Sequence, residues 1–302
     1  MQLYKLRKFL LSLSCLHRAY RKTQNPRVVM TLLVKDEIDI IEYNLMFHKR
    51  LGVDGFIVTD NGSTDGTLEI LEKYVHKGWI LELINELSLG YEQKSWVDRM
   101  IWKAKTIYHA DWVINADADE FWYVHSGCFK TTLANTRANI LRCEMRSMYP
   151  EENIPFWQWK RAVRMIENQE KYGLSRYSLF EHQNKKVIHR TDGYLQISMG
   201  NHKVKMLPQL SQDSDICIYH YNIRSFNHFM RKMINGGKTL ELHKGQHGGR
   251  HWRFFYRLYI EGRLNDEYER VLGRNCYNDL VRDGYIFEDK TIYIFFNNSI
   301  IQ

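Results

Sequence analysis

The sequence predicts an α/β fold with a mostly parallel central sheet and a C-terminal extension. Near-continuous apolar runs of strand length, at residues 28–34 and 56–59, read as strands covered on both faces. The segments between them carry apolar residues at helical spacing, and each strand ends in a polar cluster. In open α/β sheets the ligand site gathers at those strand ends.

Pro26 precedes the first strand, residues 28–34, which runs into Lys35-Asp36-Glu37. Ile38, Ile41, Leu45 and Leu51 then mark a helix that Gly52 stops. Residues 56–59 make the second strand, closing in Asp60-Asn61-Gly62-Ser63-Thr64-Asp65-Gly66. Leu68, Leu71, Tyr74 and Val75 mark a second helix, and residues 79–84 a third strand. Trp96, Met100, Ala104, Ile107 and Tyr108 mark a third helix, which leads into "WVINADADEF", residues 112–121. Strands and helices alternating at this spacing form a parallel, right-handed sheet. From about residue 125 the periodicity fades. The organisation expected is a basic amphipathic segment over 1–27, an α/β half over 28–124, and an extension of the same domain over 125–302.

The chain has 302 residues, of which 44% are hydrophobic and 26% charged, with a net charge of +8, which places it in the ordinary globular class. Lys5, Arg7, Lys8, Arg18, Arg21, Lys22 and Arg27 carry seven of those charges within a segment that has no acid. On a helical wheel Leu3, Leu6, Phe9, Leu10, Leu13 and Leu16 face away from Lys5, Lys8, Arg18 and Lys22. That segregation suits a helix lying on an anionic membrane surface, or equally a basic helix packed on the protein. The apolar run over 9–16 lacks a small-residue cleavage site, and no run approaches the roughly 20 apolar residues of a bilayer span. The expected location is cytoplasmic, peripheral on the inner face of the cytoplasmic membrane. Five cysteines form no CxxC pair, so neither a zinc site nor a disulfide framework is indicated.

Asp117, Asp119 and Glu120 place three acids within four residues. Carboxylates that close repel one another unless a cation lies among them. On an extended segment Asp117 and Asp119 would share a side and face one ion. A hard divalent cation suits them, magnesium or manganese, with phosphate oxygens completing its shell.

"VKDE", "DNGSTDGT" and "NADADEF", in this order at successive strand ends, resemble the family 2 glycosyltransferases and their relatives. The resemblance covers residues 28–122, with Lys-Asp-Glu standing where many members have Lys-Asn-Glu. It implies a Rossmann-like A-type glycosyltransferase fold, a nucleotide-diphosphate sugar donor and a manganese or magnesium ion. Carried over by position, it implies that Glu37 and Asp60 contact the nucleoside with Asp65 nearby, that Asp117 lies by the ribose and metal, and that Asp119 ligates the metal directly. It further implies an inverting hexosyl transfer and an acceptor-binding role for 125–302.

In the second half, "CIYHYNIRSFNHFMRK" offers His220 as a further metal ligand by the same resemblance, and Arg224 and Lys232 as diphosphate contacts. An inverting mechanism needs a proton acceptor for the acceptor hydroxyl. Asp192, His202, Asp213 and Asp215 are the candidates, with Asp192 and His202 foremost. The expected acceptor is a glycan or glycolipid, in bacterial surface polysaccharide or lipopolysaccharide synthesis. Rival readings are another magnesium-dependent nucleotide-sugar enzyme, a lectin-like relative, and a nucleic-acid-binding protein using "HWRFFYRLYIEGR". Against the last, the positive charge concentrates at the amino terminus, so no nucleic-acid partner is expected.

Overall fold

The structure is a computed structural model that describes residues 6, 10, 23–86, 93–151, 153–242 and 249–300. Of the basic amino-terminal segment, Leu6 and Leu10 are helical and exposed. The remainder of the expected membrane-surface helix, residues 1–5, 7–9 and 11–22, lies outside the described residues.

The first seven elements are β1 (Val28–Val34), α1 (Ile41–Arg50), β2 (Gly55–Asp60), α2 (Thr67–His76), β3 (Ile80–Asn85), α3 (Gln93–Thr106) and β4 (Trp112–Asp117). They alternate as the sequence predicts. Helix α1 begins three residues later than its apolar spacing implies, because the Glu37 carbonyl accepts from both the Ile40 and Ile41 N–H groups and makes 38–40 a turn. Gly52 closes that helix at φ 97°, a conformation that costs a residue with a Cβ.

The chain continues through β5 (Glu120–Tyr123), α4 (Phe129–Asn135), β6 (Ile140–Ser147), β7 (Arg161–Val163), β8 (Lys186–Arg190), β9 (Tyr194–Ile197), β10 (Val204–Met206) and β11 (Ser211–His220). It ends in α5 (Phe226–Leu242), α6 (Arg250–Ile260), α7 (Leu264–Leu272), α8 (Tyr277–Arg282), β12 (Ile286–Glu288) and α9 (Thr291–Ile300). The fold is thus α/β, with a mixed, mostly parallel central sheet and a helical C-terminal extension.

Two compact units can be distinguished. The first takes the described residues of 1–88, 92–145 and 184–218. Its sheet belongs to an eight-stranded order β3-β2-β1-β4-β8-β6-β11-β5. β3, β2, β1 and β4 run parallel, with Val34 paired to Asp60 and Leu33 to Asp117. β8 then enters antiparallel to β4, and β6 antiparallel to β8. Helix α3 covers β1 and β2, burying Met100 and Ile101 with Val29, Ile57 and Val113. Each such side chain contributes about 1.5–3 kcal/mol by leaving water.

The second unit takes the described residues of 146–183 and 219–302. β7 and β12 pair antiparallel, and α5 to α8 close over a core containing Phe180, Phe229, Phe255, Leu258, Tyr268 and Leu280. A Cβ on Gly236 or Gly237 of α5 would fall 2.5 Å from Trp252 or 2.3 Å from Tyr256. The glycine pair therefore lets the aromatic face of α6 lie directly on α5. Trp252, Phe255 and Tyr256, which prompted the nucleic-acid reading, serve this packing, while Arg250, Arg253 and Arg257 form its exposed side. No described helix is long and apolar enough to cross a membrane.

Candidate active site

β1 and β2 end side by side, and the loops that follow are laced together. Asp36 is left-handed (φ 53°), a conformation that Asp tolerates because its short side chain bonds locally. Its N–H donates to Ser63 Oγ (2.9 Å), and its Oδ1 accepts from the Thr64 N–H (2.8 Å). Asp65 Oδ1 accepts from the Thr67 N–H (3.0 Å) and hydroxyl (2.6 Å), and its Oδ2 from the Ile38 N–H (3.2 Å). Burial acts to raise the Asp65 pKa, but these donors outweigh it and hold the carboxyl below its usual range. The N–H of buried Glu37 donates to Thr67 Oγ1 (2.9 Å). Loop 60–66 is thus stitched to 36–38, with Asp65 as its brace.

Asp60 differs from Asp65. It is 2% exposed, and its Oδ2 accepts from the Ser63 N–H (3.0 Å). Its Oδ1 is buried without a hydrogen-bond partner among the described residues. Leaving such an atom unsatisfied costs about 1–3 kcal/mol, more when it is charged, so it marks a position where a donor belongs.

β4 ends at Asp117, and residues 118–119 form a turn into β5. This corrects the premise that Asp117 and Asp119 share a side by strand alternation. The turn separates their environments: the Asp117 side chain is 36% exposed, whereas Asp119 is 2% exposed. Asn44 of α1, fully buried, holds the turn by donating from Nδ2 to the Ala118 and Glu120 carbonyls, both at 2.9 Å. Its Oδ1 lies 3.0 Å from His48 Nδ1, and His48 Nε2 accepts from the Trp122 N–H (3.0 Å). His48 is therefore the neutral Nδ1–H tautomer, and burial lowers its pKa to about 3.

The cation among the acids is supplied by the chain itself. Lys186, the first residue of β8, is buried with a side chain 3% exposed. Its Nζ donates to Asp117 Oδ2 (2.8 Å) and pairs with Glu120 Oε1. Burial penalises the ammonium, but the carboxylates of Asp117 and Glu120 more than offset this and raise its pKa above the ordinary lysine value. The Glu120 Oε2 accepts from the Asp117 N–H (3.2 Å). Lys186 was not legible in the sequence, where the periodicity fades from about residue 125. The one available signal was the three crowded acids, which require a cation from elsewhere.

Of the other named residues, Asp192, His202, Asp213 and Asp215 belong to the first unit. His202 Nδ1 lies 3.1 Å from the Lys185 carbonyl. Its pKa is lowered, first by burial and then by the charge of Lys186, against the opposing pull of Asp117. Asp192 lies beyond the far end of β8, since Arg190 pairs with Trp112 at the start of β4. From Lys186 to Arg190 is about 13 Å at the strand rise. There Asp192 pairs with Lys105 (3.7 Å). Asp213 is exposed and bonded to Arg142 and Lys185, both at 3.0 Å, and Asp215 is exposed. His220, Arg224 and Lys232 belong to the second unit. There the His220 carbonyl accepts from the Met148 N–H, Arg224 Nη1 donates to the Tyr221 carbonyl (3.3 Å), and burial, then the charge of Lys232, depresses the His251 pKa.

No group of three or more His, Cys, Asp or Glu poised for a metal occurs among the described residues. A hard cation held by one or two carboxylates and by phosphate oxygens needs no such preformed set. Asp117, whose side chain is partly exposed, fits that role, and the Asp60 oxygen without a partner fits a nucleoside donor group.

A mixed, mostly parallel sheet with a helical C-terminal extension fits a Rossmann-like A-type glycosyltransferase fold, and the family match supplies the enzyme class. The chain belongs to glycosyltransferase family 92, whose model matches residues 31–253. The family is thus 92, where the motifs resembled family 2; the enzyme class and fold are as the motifs implied. No curated protein matches the chain. Among solved structures it is similar to TarS 1–349 of S. aureus, at 14% identity over 84% of this chain and 74% of that one, with a TM-score of 0.41. It is also similar to the mannosyltransferase PcManGT of Pyrobaculum calidifontis, in complex with GDP-Man and Mn2+, at 15% identity over 92% and 85% (TM-score 0.43). A third is HddC of Yersinia pseudotuberculosis, at 12% identity over 68% and 97% (TM-score 0.34).

Proposed function

We propose that this glycosyltransferase moves a hexosyl group, with inversion, from a nucleotide-diphosphate sugar to a glycan or glycolipid, using manganese or magnesium. The observation that carries the donor assignment is the buried, unpartnered Oδ1 of Asp60, two strands from Asp117 at the same sheet edge. Two strand spacings are about 10 Å, the reach of a nucleoside laid across β1. In this reading Asp60 and Glu37 take the nucleoside, Asp65 holds their loop, and Asp117 and Asp119 hold the metal. When bound, the metal stabilises the negative charge that develops on the departing diphosphate.

Of the four candidates for taking the acceptor's proton, His202 fits best. Its Nδ1–H donates to the Lys185 carbonyl, which leaves Nε2 with a lone pair, and burial and Lys186 keep the ring neutral. Asp192 is committed to Lys105 at the other end of β8. The basic segment over 1–27 supports a peripheral site on the inner face of the cytoplasmic membrane, and with it surface polysaccharide or lipopolysaccharide synthesis.

The test is calorimetric titration of uridine and guanosine diphosphates, with and without Mn2+, and turnover with a panel of nucleotide sugars. Asp60→Ala should weaken nucleotide binding in an intact fold. Asp119→Asn should remove Mn2+-dependent stabilisation and cost about 100- to 1,000-fold in rate. Unchanged nucleotide affinity in Asp60→Ala, together with wild-type Mn2+ response in Asp119→Asn, would return both loops to a structural role.

A further inference from the structure

We propose that the outer face of α6 docks on an anionic lipid membrane, with phospholipid headgroups against Arg250, Arg253 and Arg257 and the Ile260 side chain set among them. The inference is independent of the donor and metal readings above.

At about 100° per residue, Arg250, Arg253, Arg257 and Ile260 fall within about 80° of one another around the helix, and Phe255 and Leu258 fall on its far side. Burial follows the same division. The first four are exposed, whereas Phe255 and Leu258 are buried in the core of the second unit. Arg253 and Arg257 stand one turn apart, a spacing at which like charges destabilise a helix, and an anionic surface offsets that cost. The one acid between residues 250 and 263 is Glu261. It lies 3.1 Å from Arg263 and only 3.9 Å from Arg257, whose side chain stays 67% exposed. An exposed pair at that distance holds the guanidinium weakly.

Ile260 is 68% exposed, the most exposed large apolar side chain among the described residues. A lone exposed isoleucine would mean little. On the same face as a row of guanidinium groups it completes the pairing of cations with an apolar side chain that interfacial helices use. Single-stranded nucleic acid would engage the same cations, but it also needs aromatic faces for its bases. Here Trp252 lies against Gly236, Tyr256 lies against Gly237, and Phe255 is buried, so these rings serve the packing of α6 on α5. A lipid surface therefore fits the exposed face better, because it offers phosphates to the arginines and an apolar layer to Ile260.

The test is co-sedimentation of full-length protein with vesicles of phosphatidylcholine alone and of phosphatidylcholine with phosphatidylglycerol. Arg250→Gln/Arg257→Gln should weaken binding to the anionic vesicles by about 30-fold. Ile260→Ser, which changes no charge, should weaken it by about three- to tenfold. A charge-matched control, Arg176→Gln/Lys290→Gln, removes two exposed cations elsewhere in the second unit and should cost no more than about threefold. All variants keep residues 1–27, so the contribution of that segment is common to all. A contribution of the size expected for α6 does not by itself retain a protein on vesicles.

Circular dichroism melts confirm that each variant folds; should the double variant melt early, Arg250→Gln carries the test with an expected loss of about fivefold. Equal weakening by the α6 and control substitutions, or wild-type binding by Ile260→Ser, overturns the proposal. So does wild-type protein that fails to distinguish anionic from neutral vesicles. If Arg250→Gln/Arg257→Gln instead loses binding to a single-stranded oligonucleotide and keeps its vesicle binding, the face belongs to nucleic acid and the lipid assignment falls.

Discussion

Asn44→Ala removes the brace of the turn that carries the acids, and its cost can be worked from the structure. Asn44 is fully buried and donates to two carbonyls, Ala118 and Glu120, each at 2.9 Å. Alanine leaves both carbonyls buried with one partner fewer, at about 1–3 kcal/mol each. His48 Nδ1–H keeps the Asn44 backbone carbonyl at 2.9 Å, so its hydrogen bond survives. The loss should be about 2–6 kcal/mol, or roughly 3–10 °C in melting temperature for a chain of this size. Urea and thermal unfolding measure it, and thermal melts with Mn2+ add a functional readout. Under the proposed metal site, a Mn2+-induced rise in melting temperature should shrink in Asn44→Ala, because the turn that carries Asp119 is no longer held. A loss below about 0.5 kcal/mol, with the Mn2+ response intact, would refute the claim that α1 positions the acids.

Acidification should destabilise the fold through its buried neutral histidines. Burial lowers the pKa of His48 to about 3 and that of His189 to about 4, so between pH 6.5 and 4 the unfolded chain binds protons that the native state does not. Their stabilising contribution is complete above pH 6.5 and falls with pH by up to about 1.4 kcal/mol per unit for each; a urea midpoint unchanged from pH 7 to 5 would contradict this. Gly237→Ala, which places a Cβ 2.3 Å from that of Tyr256, should destabilise the second unit by about 1–3 kcal/mol in chemical denaturation, and an unaffected midpoint would mean that α5 and α6 are not in direct contact. Deleting residues 1–24 should abolish co-sedimentation with anionic vesicles; equal binding by both chains would remove the membrane role of that segment.

The residues that end β1, β2 and β4 were legible because strand and helix periods are local, and the parallel crossover has one dominant hand. Glu37, Asp60 and Asp117 thereby fall along one edge of the sheet, with Val34 opposite Asp60 and Leu33 opposite Asp117. Extrapolating that same periodicity past residue 117 failed, since the chain turns at 118–119 and Asn44, 74 residues from Ala118, holds that turn. Beyond residue 125, β8 joins β4 and β6 joins β8 by antiparallel pairing over long separations, which leaves no periodic trace.

The α/β alternation, the strand ends that carry acids, and the need for a cation among Asp117, Asp119 and Glu120 thus follow from local sequence. Only the tertiary structure decided that the first such cation is Lys186, 69 residues from Asp117. It likewise decided that Asp192 belongs to the opposite end of β8 and that His220 belongs to the second unit. The physical reason is the same in each case. Periodicity and turn chemistry act within a few residues, whereas the partner of a buried charge is set by which strand end packs against it, and that is settled only when β8 takes its antiparallel place beside β4.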